Sequence, residues 1–429
     1  MNPKPDINEY VDALLKSKTM GTYTLYHTVS SGKTAKYADP EKPFPKHIQT
    51  VLEQNGVGEF YEHQASAFDR VRSGRHLVLA TPTASGKTLC YTLPAMDRIA
   101  TDPESRALYI FPLKALAQDQ LRQFNHLSSR FKKDKPTAEI YDGDTPNPQR
   151  KRIRDDFPHI LMTNPEMIHL SILPYHAKWS ELIRNLKFVV VDEMHIYRGV
   201  FGVHIAQVLR RLRRVCAYYH ASPTFVFCSA TVGNPAQLAG QLTGLSVEAI
   251  IDSTESQGQR HHLFLNAPEG PVSSTIQLLK AALHREIRTI VFTQSRKLAE
   301  LITVWIKQQS AAFAERISVY RAGLTPQERR LIESGLASGE LLAVVSTSAL
   351  ELGIDIGDLD LCILVGYPGS IVATRQRGGR AGRNGNDAAV ILVAGDDALD
   401  QYFMRNPKQL VDKDPEPSVV NPFNPKVLS

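Results

Sequence analysis

Short apolar runs alternate with helical patterns through most of the chain, and this predicts an α/β protein of parallel sheets flanked by helices, in two tandem domains. In the first half the runs are His76–Ala80, Ala107–Phe111, Ala138–Tyr141, Ile160–Thr163, Phe188–Val191 and Phe225–Cys228. In the second half they are His262–Leu265, Thr289–Phe292, Ile317–Tyr320, Ala343–Ser346, Leu361–Val365 and Ala389–Val393. Several are continuously apolar rather than alternating, the pattern of strands covered on both faces. The polar stretch Asp252–Gln259 divides the two series and is where a hinge is expected; Asn266–Ser274 is a second break, expected as a loop. A length of 429 residues also exceeds what one ordinary core organises. The expected division is an N-terminal extension over 1–55, with a helical pattern at Ile7–Leu15, then domains over 56–255 and 256–400. A Pro- and Asn-rich extended tail over 401–429 follows.

The composition is that of an ordinary soluble protein, with 42% hydrophobic and 22% charged residues. A net charge of +6 is compatible with a polyanionic partner but does not identify one. Cys90, Cys216, Cys228 and Cys362 are scattered, which argues against a zinc site or a disulfide framework and suits a reducing cytoplasm. Cys228 and Cys362 lie in apolar runs and read as small buried residues. The polar start MNPKPDINEYVD has no signal-peptide core, and no apolar run approaches the roughly 20 residues a bilayer requires, so a cytoplasmic location is expected.

The chemistry begins at Thr81-Pro82-Thr83-Ala84-Ser85-Gly86-Lys87-Thr88, between a strand run and a helical pattern. Backbone N–H groups of such a loop can cradle phosphates, aided by the following helix N-terminus. Lys87 would reach the β- and γ-phosphates of ATP and Thr88 would hold Mg²⁺. Thr81 stands where the strict pattern has Gly, and Ala84 where Gly is frequent, so alone the segment could be a plain strand-to-helix turn. About a hundred residues later an apolar strand ends in Asp192-Glu193-Met194-His195. Asp192 would bind the metal through water and Glu193 would orient or deprotonate the attacking water. A solvated acidic pair is the alternative, which the upstream loop disfavours. A kinase or small GTPase needs neither Glu beside Asp nor a His two residues on.

Three further segments add to the site. Ser229-Ala230-Thr231 follows the next strand run, as a helix cap or as a relay sensing the γ-phosphate. Tyr61 and Gln64 of Tyr61-Glu62-His63-Gln64 precede the loop by about twenty residues. There an amide can bond adenine and an aromatic can stack on it, unless both are ordinary surface. In the second half, Arg375-Gln376-Arg377-Gly378-Gly379-Arg380-Ala381-Gly382-Arg383 holds four arginines. Arg380 and Arg383 are three apart, so on one helical turn they would point the same way. Delivered onto a γ-phosphate, joined by Gln376, they would act as fingers; a basic turn touching phosphate backbone is the alternative.

Together these segments resemble the superfamily 2 helicases, with the DExH form of the carboxylate motif. The ordered set is YEHQ, ATPTASGKT, FPLKALAQDQ, TNPEM, VVVDEMH, SAT, IVFTQSRK, YRAGLTPQERR, VVSTSALELGIDI and QRGGRAGRNG, over roughly residues 58–400. PTASGKTLCY, YDGDTP, DEMHIYRGVFGVHIAQVLRRLRR and TSALELGIDIGDLD look most similar to the mitomycin repair factor A group, DNA helicases that move 3′ to 5′ and are linked to repair of crosslinked DNA.

The resemblance implies two RecA-like domains with ATP and Mg²⁺ in the cleft between them. It implies nucleic-acid contacts, to DNA more than RNA, at Pro112, Lys114, Ala115, Gly143, Asp144, Thr163, Asn164 and Pro165 in the first domain. In the second they would be Thr293, Gln294, Ser295, Arg296, Arg321, Gly323, Thr347 and Ser348. Loop amides and hydroxyls grip phosphates without reading bases, which suits tracking along a strand. Gly353 and Asp355 would link nucleotide to strand, where the alternative is a plain turn. Members of that group continue for several hundred residues, through a helical domain and a four-cysteine metal domain that this sequence does not contain. ATP hydrolysis and translocation are therefore more strongly implied than strand separation. The competing expectations are the same motor on RNA, or a clamp without catalysis.

Overall fold

The computed structural model describes residues 6–428 apart from 84, 132–134, 267, 352 and 354–356. Its strands in chain order are β1 (Thr24–Ser30), β2 (Leu77–Leu79), β3 (Arg106–Ile110), β4 (Ala138–Ile140), β5 (Ile160–Thr163), β6 (Leu186–Val191) and β7 (Thr224–Cys228). They continue as β8 (Glu248–Ile250), β9 (Arg260–Leu265), β10 (Thr289–Phe292), β11 (Ile317–Tyr320), β12 (Ala343–Ser346), β13 (Leu361–Val365) and β14 (Ala388–Val393). Every apolar run named above is a strand. Only β1 and β8 lacked a signal: β8 is three residues long, and β1 is a partly exposed edge strand.

The chain divides into two compact units. One comprises residues 36–254 and 417–429, the other 1–35 and 255–416. In the first, seven strands lie in the order β4-β5-β3-β6-β7-β2-β8, every neighbouring pair parallel. Parallel neighbours need helical crossovers, which cover both faces and account for the continuous apolar runs. Trp179, Phe225, Phe227, Leu209 and Val420 share its core.

In the second unit the order is β1-β9-β14-β13-β10-β12-β11. β1 is antiparallel to β9 and every other neighbouring pair is parallel. In place of one N-terminal extension, residues 6–35 build this unit, while 36–55 belong with the first. The helix Ile7–Leu15 is capped by Asp6, whose side chain accepts the Asn8 N–H, and it buries Ile7, Tyr10, Val11 and Leu14. That i, i+3, i+4, i+7 spacing is one helical stripe. The stripe packs in the core with Leu263, Leu279 and Ile391, and the Tyr10 hydroxyl donates to the Leu278 carbonyl at 3.0 Å. The expected extended tail also differs: 398–405 and 408–411 are helical, burying Phe403, Met404 and Leu410. Val420 then enters the other unit's core.

Fully burying a side chain of this size stabilises by about 1.5–3 kcal/mol, so the N-terminal helix is a structural part of its unit. Leu14→Ala is expected to destabilise that unit by about 2–3 kcal/mol in chemical denaturation. An unchanged midpoint would remove the helix from this core.

Candidate ATP site and strand-gripping loops

β2 is buried and ends in the loop Thr81–Gly86, after which the helix Lys87–Thr101 begins. Gly86, its N-cap, has φ of 75°, a conformation open to glycine at no steric cost. A Cβ there would also collide with the Gln64 amide. Thr81 and Ser85 are buried, their hydroxyls 2.6 Å apart, so the threonine in a glycine position braces the loop. The Lys87 ammonium donates to the carbonyls of Thr81 (2.7 Å) and Pro82 (2.8 Å). Thr88 opens the helix beside Lys87. Pro82 and Thr83 are half-buried, and Ala84 lies outside the described residues.

Gln64 is buried under this loop. Its amide N–H donates to the Gly86 carbonyl at 3.2 Å, and its oxygen accepts the Tyr61 backbone N–H at 3.1 Å in a capping box. The sequence expectation gave this side chain to adenine alone; the structure also gives it a role in holding the loop. Tyr61 stacks on Tyr37, with ring centroids 5.4 Å apart.

β6 ends at Val191, and Asp192 donates its N–H to the Ile110 carbonyl. Glu193 has φ of 48°, a left-handed conformation costing on the order of 1 kcal/mol for a residue with a Cβ. That turn lets the Glu193 N–H donate to Asp192 Oδ1 at 2.9 Å. Burial, and then the Glu193 charge, push the Asp192 carboxyl up to about 7, against the opposing pull of the Glu193 N–H and of Lys87. Burial lowers His195 below its ordinary value. Its Nδ1 accepts the Ala230 N–H at 3.2 Å, so the ring is neutral and ties the carboxylate turn to the segment after β7. The 3.5 Å approach of Glu193 to the same nitrogen is therefore not an ion pair. Ser229 is wholly buried, and its hydroxyl has no hydrogen-bond partner among the described residues. Thr231 is half-buried beyond it.

β2, β7 and β6 are neighbours in one parallel sheet, so the phosphate loop, the Ser229–Thr231 turn and the carboxylate pair share one edge. The same rule gathers a second group. β3, β5 and β4 are also neighbours, and after them come Pro112–Ala115, Thr163–Pro165 and Gly143–Asp144. Lys114 and Asp144 are exposed and paired at 2.6 Å, and this bond raises the Lys114 ammonium above its ordinary value. Thr163 faces inward, donating to the Tyr141 carbonyl at 2.6 Å, Pro165 is buried, and the Asn164 side chain caps the next turn by accepting the Met167 N–H.

In the other unit β10, β12 and β11 are neighbours and end in Thr293–Arg296, Thr347–Ser348 and Arg321–Gly323. Gln294, Ser295, Arg296, Gly323 and Ser348 are exposed, Thr347 is half-buried, and Thr293 is buried with its hydroxyl on the Ser295 carbonyl. Arg321 pairs with Glu300 at 2.6 Å.

The arginine segment departs from expectation. The helix Ile371–Gly378 includes Gln376 but ends before Arg380. Arg380 and Arg383 therefore follow it in a turn with Gly382 at φ 74°, not on one helical turn. Consecutive Gly378 and Gly379 stop the helix. Arg377 is bound to the Glu351 carboxylate at 2.9 Å, and Arg380, fully buried, donates to the Glu351 carbonyl at 2.6 Å. The Glu416 carboxylate accepts from the N–H groups of Ile371 (2.8 Å) and Val372 (3.3 Å), an anion where the helix dipole favours one. Glu416 lay outside every motif, and His63 and Glu351 lay inside YEHQ and VVSTSALELGIDI with no role assigned to them. Gly353 is half-buried and Asp355 lies outside the described residues.

A phosphate loop and a carboxylate pair at one edge of a parallel sheet, with one strand between theirs, and a second largely parallel sheet later in the chain, define a P-loop nucleoside triphosphatase of tandem-domain type. Residues 61–238 match the DEAD/DEAH box helicase family and 272–385 the helicase conserved C-terminal domain. The chain carries both domains of the superfamily 2 helicases. YprA of Bacillus subtilis strain 168, an uncharacterised ATP-dependent helicase, is 43% identical over 402 residues, 90% of this chain and 53% of YprA. The crystal structure of the DUF1998 helicase MrfA bound to DNA aligns with a TM-score of 0.94 at 40% identity, over 99% of this chain and 57% of MrfA. With DNA and AMPPNP bound, MrfA gives 0.93 at 40% identity, over 99% of this chain and 60% of MrfA. The chain thus spans about half the length of these relatives. All four cysteines are buried, and among the described residues no helix is long and apolar enough to cross a membrane.

The raised Asp192 pKa has a stability consequence. Between its ordinary value of 3.8 and about 7 the folded state holds a proton the unfolded chain has lost, so stability falls as pH rises through that window. In EDTA and without nucleotide, Asp192→Asn is expected to raise Tm, by about 2–4 °C per kcal/mol for a unit of this size. The gain should grow from pH 4 to 7 and then level. A gain independent of pH would contradict the buried charge.

Proposed function

We propose that this chain is the motor of an ATP-dependent DNA helicase or translocase, moving 3′ to 5′ along one strand and serving DNA repair. The observation that carries this is the division of the first unit's sheet edge: β2, β7 and β6 bear the nucleotide loops, and the adjoining β3, β5 and β4 bear loops suited to a phosphate backbone. The DNA held by MrfA supports DNA as the polymer.

Loop amides of Thr81–Gly86 and the helix start would receive the phosphates, with Lys87 exchanging the Thr81 and Pro82 carbonyls for β- and γ-phosphate oxygens. Thr88 and Asp192 suit Mg²⁺, since a buried carboxylate lacking a full countercharge is what a cation relieves; bound there, it would neutralise charge developing on the phosphates. Glu193, turned by its positive φ, would take the proton of the attacking water. Gln376, Arg380 and Arg383 are read as the second unit's contribution, the arginines stabilising transition-state charge. His195 and Ser229–Thr231 would pass the nucleotide's state across the sheet. Tyr61 and Gln64 are read as adenine contacts, and Gly353 and Asp355 as a link to the strand. The exposed loops of both units, with Lys114 and Arg296 as their cations, would grip the strand.

ATP hydrolysis and unwinding on 3′-tailed, 5′-tailed and blunt duplexes of DNA and RNA test this directly. Stimulation by 3′-tailed DNA above all others is expected; equal or greater stimulation by RNA would overturn the DNA reading. Arg383→Ala should lower kcat by about 10³-fold with nucleotide affinity little changed, and unaffected turnover would remove it as a finger. Asp144→Asn should free Lys114 and tighten strand binding at low salt, whereas Lys114→Ala should weaken it and flatten its salt dependence.

A further inference from the structure

The chain crosses between its two units at 35/36, at 254/255 and again at 416/417. Inside the first unit the segments of the first two crossings end on the same five residues, Phe60–Gln64. The Lys36 carbonyl accepts the Glu62 N–H at 3.0 Å, and the Ala38 N–H donates to the Phe60 carbonyl at 3.0 Å. Lys36 in turn donates its N–H to the Thr254 carbonyl at 2.8 Å, so the two segments are also bonded to each other.

His63 sits where these bonds converge. It is 3% exposed and stacks on Tyr61, rings 9° from parallel. Its Nε2 lies 2.8 Å from the Ser85 carbonyl in the phosphate loop. A carbonyl only accepts, so Nε2 carries the proton and Nδ1 of the neutral ring is an acceptor. Nδ1 faces Thr254: the hydroxyl at 2.8 Å and the backbone N–H at 3.3 Å. The His63 backbone N–H returns a bond to the same hydroxyl at 3.3 Å. Next to it, Gln64 holds the Gly86 carbonyl. Two consecutive side chains thus grip two consecutive carbonyls of the loop, and one of them also grips the last residue before the chain leaves the unit.

We propose that His63 is a positioning residue that couples the phosphate loop to two of the inter-unit connections, so that nucleotide occupancy is transmitted through Ser85, His63 and Thr254 to the crossing segments at 35/36 and 254/255. Every bond in this relay lies within residues 36–254. The inference rests on the ATP-site reading and extends it from hydrolysis to output. A rearrangement of the loop around phosphates shifts the Ser85 carbonyl, and a buried imidazole stacked on one side cannot follow without moving Thr254. A merely structural His63 would stabilise the unit but leave the crossing segments indifferent to nucleotide.

Hydrogen–deuterium exchange of the whole chain, with and without AMPPNP and magnesium, separates these. In the wild type, peptides covering 33–38 and 250–258 should exchange at least about threefold more slowly with nucleotide. In His63→Ala and Thr254→Val that response should be lost, while the phosphate-loop peptide is still protected at saturating nucleotide. His63→Ala should weaken AMPPNP binding about tenfold, the effect of leaving a buried carbonyl unpaired, and Thr254→Val by less than about twofold. Crossing segments that ignore nucleotide in the wild type, or a response that survives in both variants, overturn the proposal. If His63→Ala does not fold, Thr254→Val, which deletes one hydroxyl, carries the test. A wild-type phosphate loop that AMPPNP does not protect overturns the ATP-site reading, and this inference with it.

Discussion

The strand-end loops of residues 36–254 depend on one constraint: the strands of their sheet all run the same way. Parallel strands present all their carboxyl ends at one edge, and ligand loops in open α/β sheets gather there. The order β4-β5-β3-β6-β7-β2-β8 then decides which loops become neighbours. Residues separated by a hundred positions, Lys87 and Asp192, are brought close enough for the lysine to act on the carboxyl. Gly143–Asp144 and Lys114 meet by the same rule. Since β3 and β6 adjoin, the loops proposed for the nucleotide and those proposed for the strand are two halves of one edge. Hydrogen-bonded backbone joins the halves, as where the Asp192 N–H meets the Ile110 carbonyl.

The site carries its function as stored cost. Burial opposes charge on Asp192, Glu193 occupies a backbone region that glycine prefers, and the Ser229 hydroxyl is buried without a partner among the described residues. Each is unfavourable in a protein selected for stability alone. Together they mark the place where phosphates, a cation and a water would supply what the fold withholds.

The strand pattern was legible because continuous apolar runs are what a doubly covered parallel sheet requires, and the phosphate loop, the carboxylate pair and the Ser229–Thr231 turn each sit where such a strand ends. What the sequence concealed has physical reasons too. The strand β1 is short of apolar signal because it is an edge, paired on one side only. The Arg380–Arg383 spacing suggested a shared helical face, but spacing says nothing once Gly378 and Gly379 end the helix. Glu351 and Glu416 act through bonds to residues 26 to 45 positions away. A single His in YEHQ looks like surface until its two ring nitrogens are found on Ser85 and Thr254. The N-terminal helix was read correctly as a helix, yet nothing in Ile7–Leu15 says which core its stripe will enter.

The central claim is that nucleotide and nucleic acid occupy coupled halves of one sheet edge, and coupling between two ligands is reciprocal. The most direct measurement is the full linkage square: the Kd of a fluorescent single-stranded DNA with and without saturating AMPPNP, and the Kd of AMPPNP with and without saturating DNA. The account predicts that each ligand changes the other's affinity by the same factor, about fivefold or more. Two ligands that bind this chain with affinities indifferent to each other would contradict it.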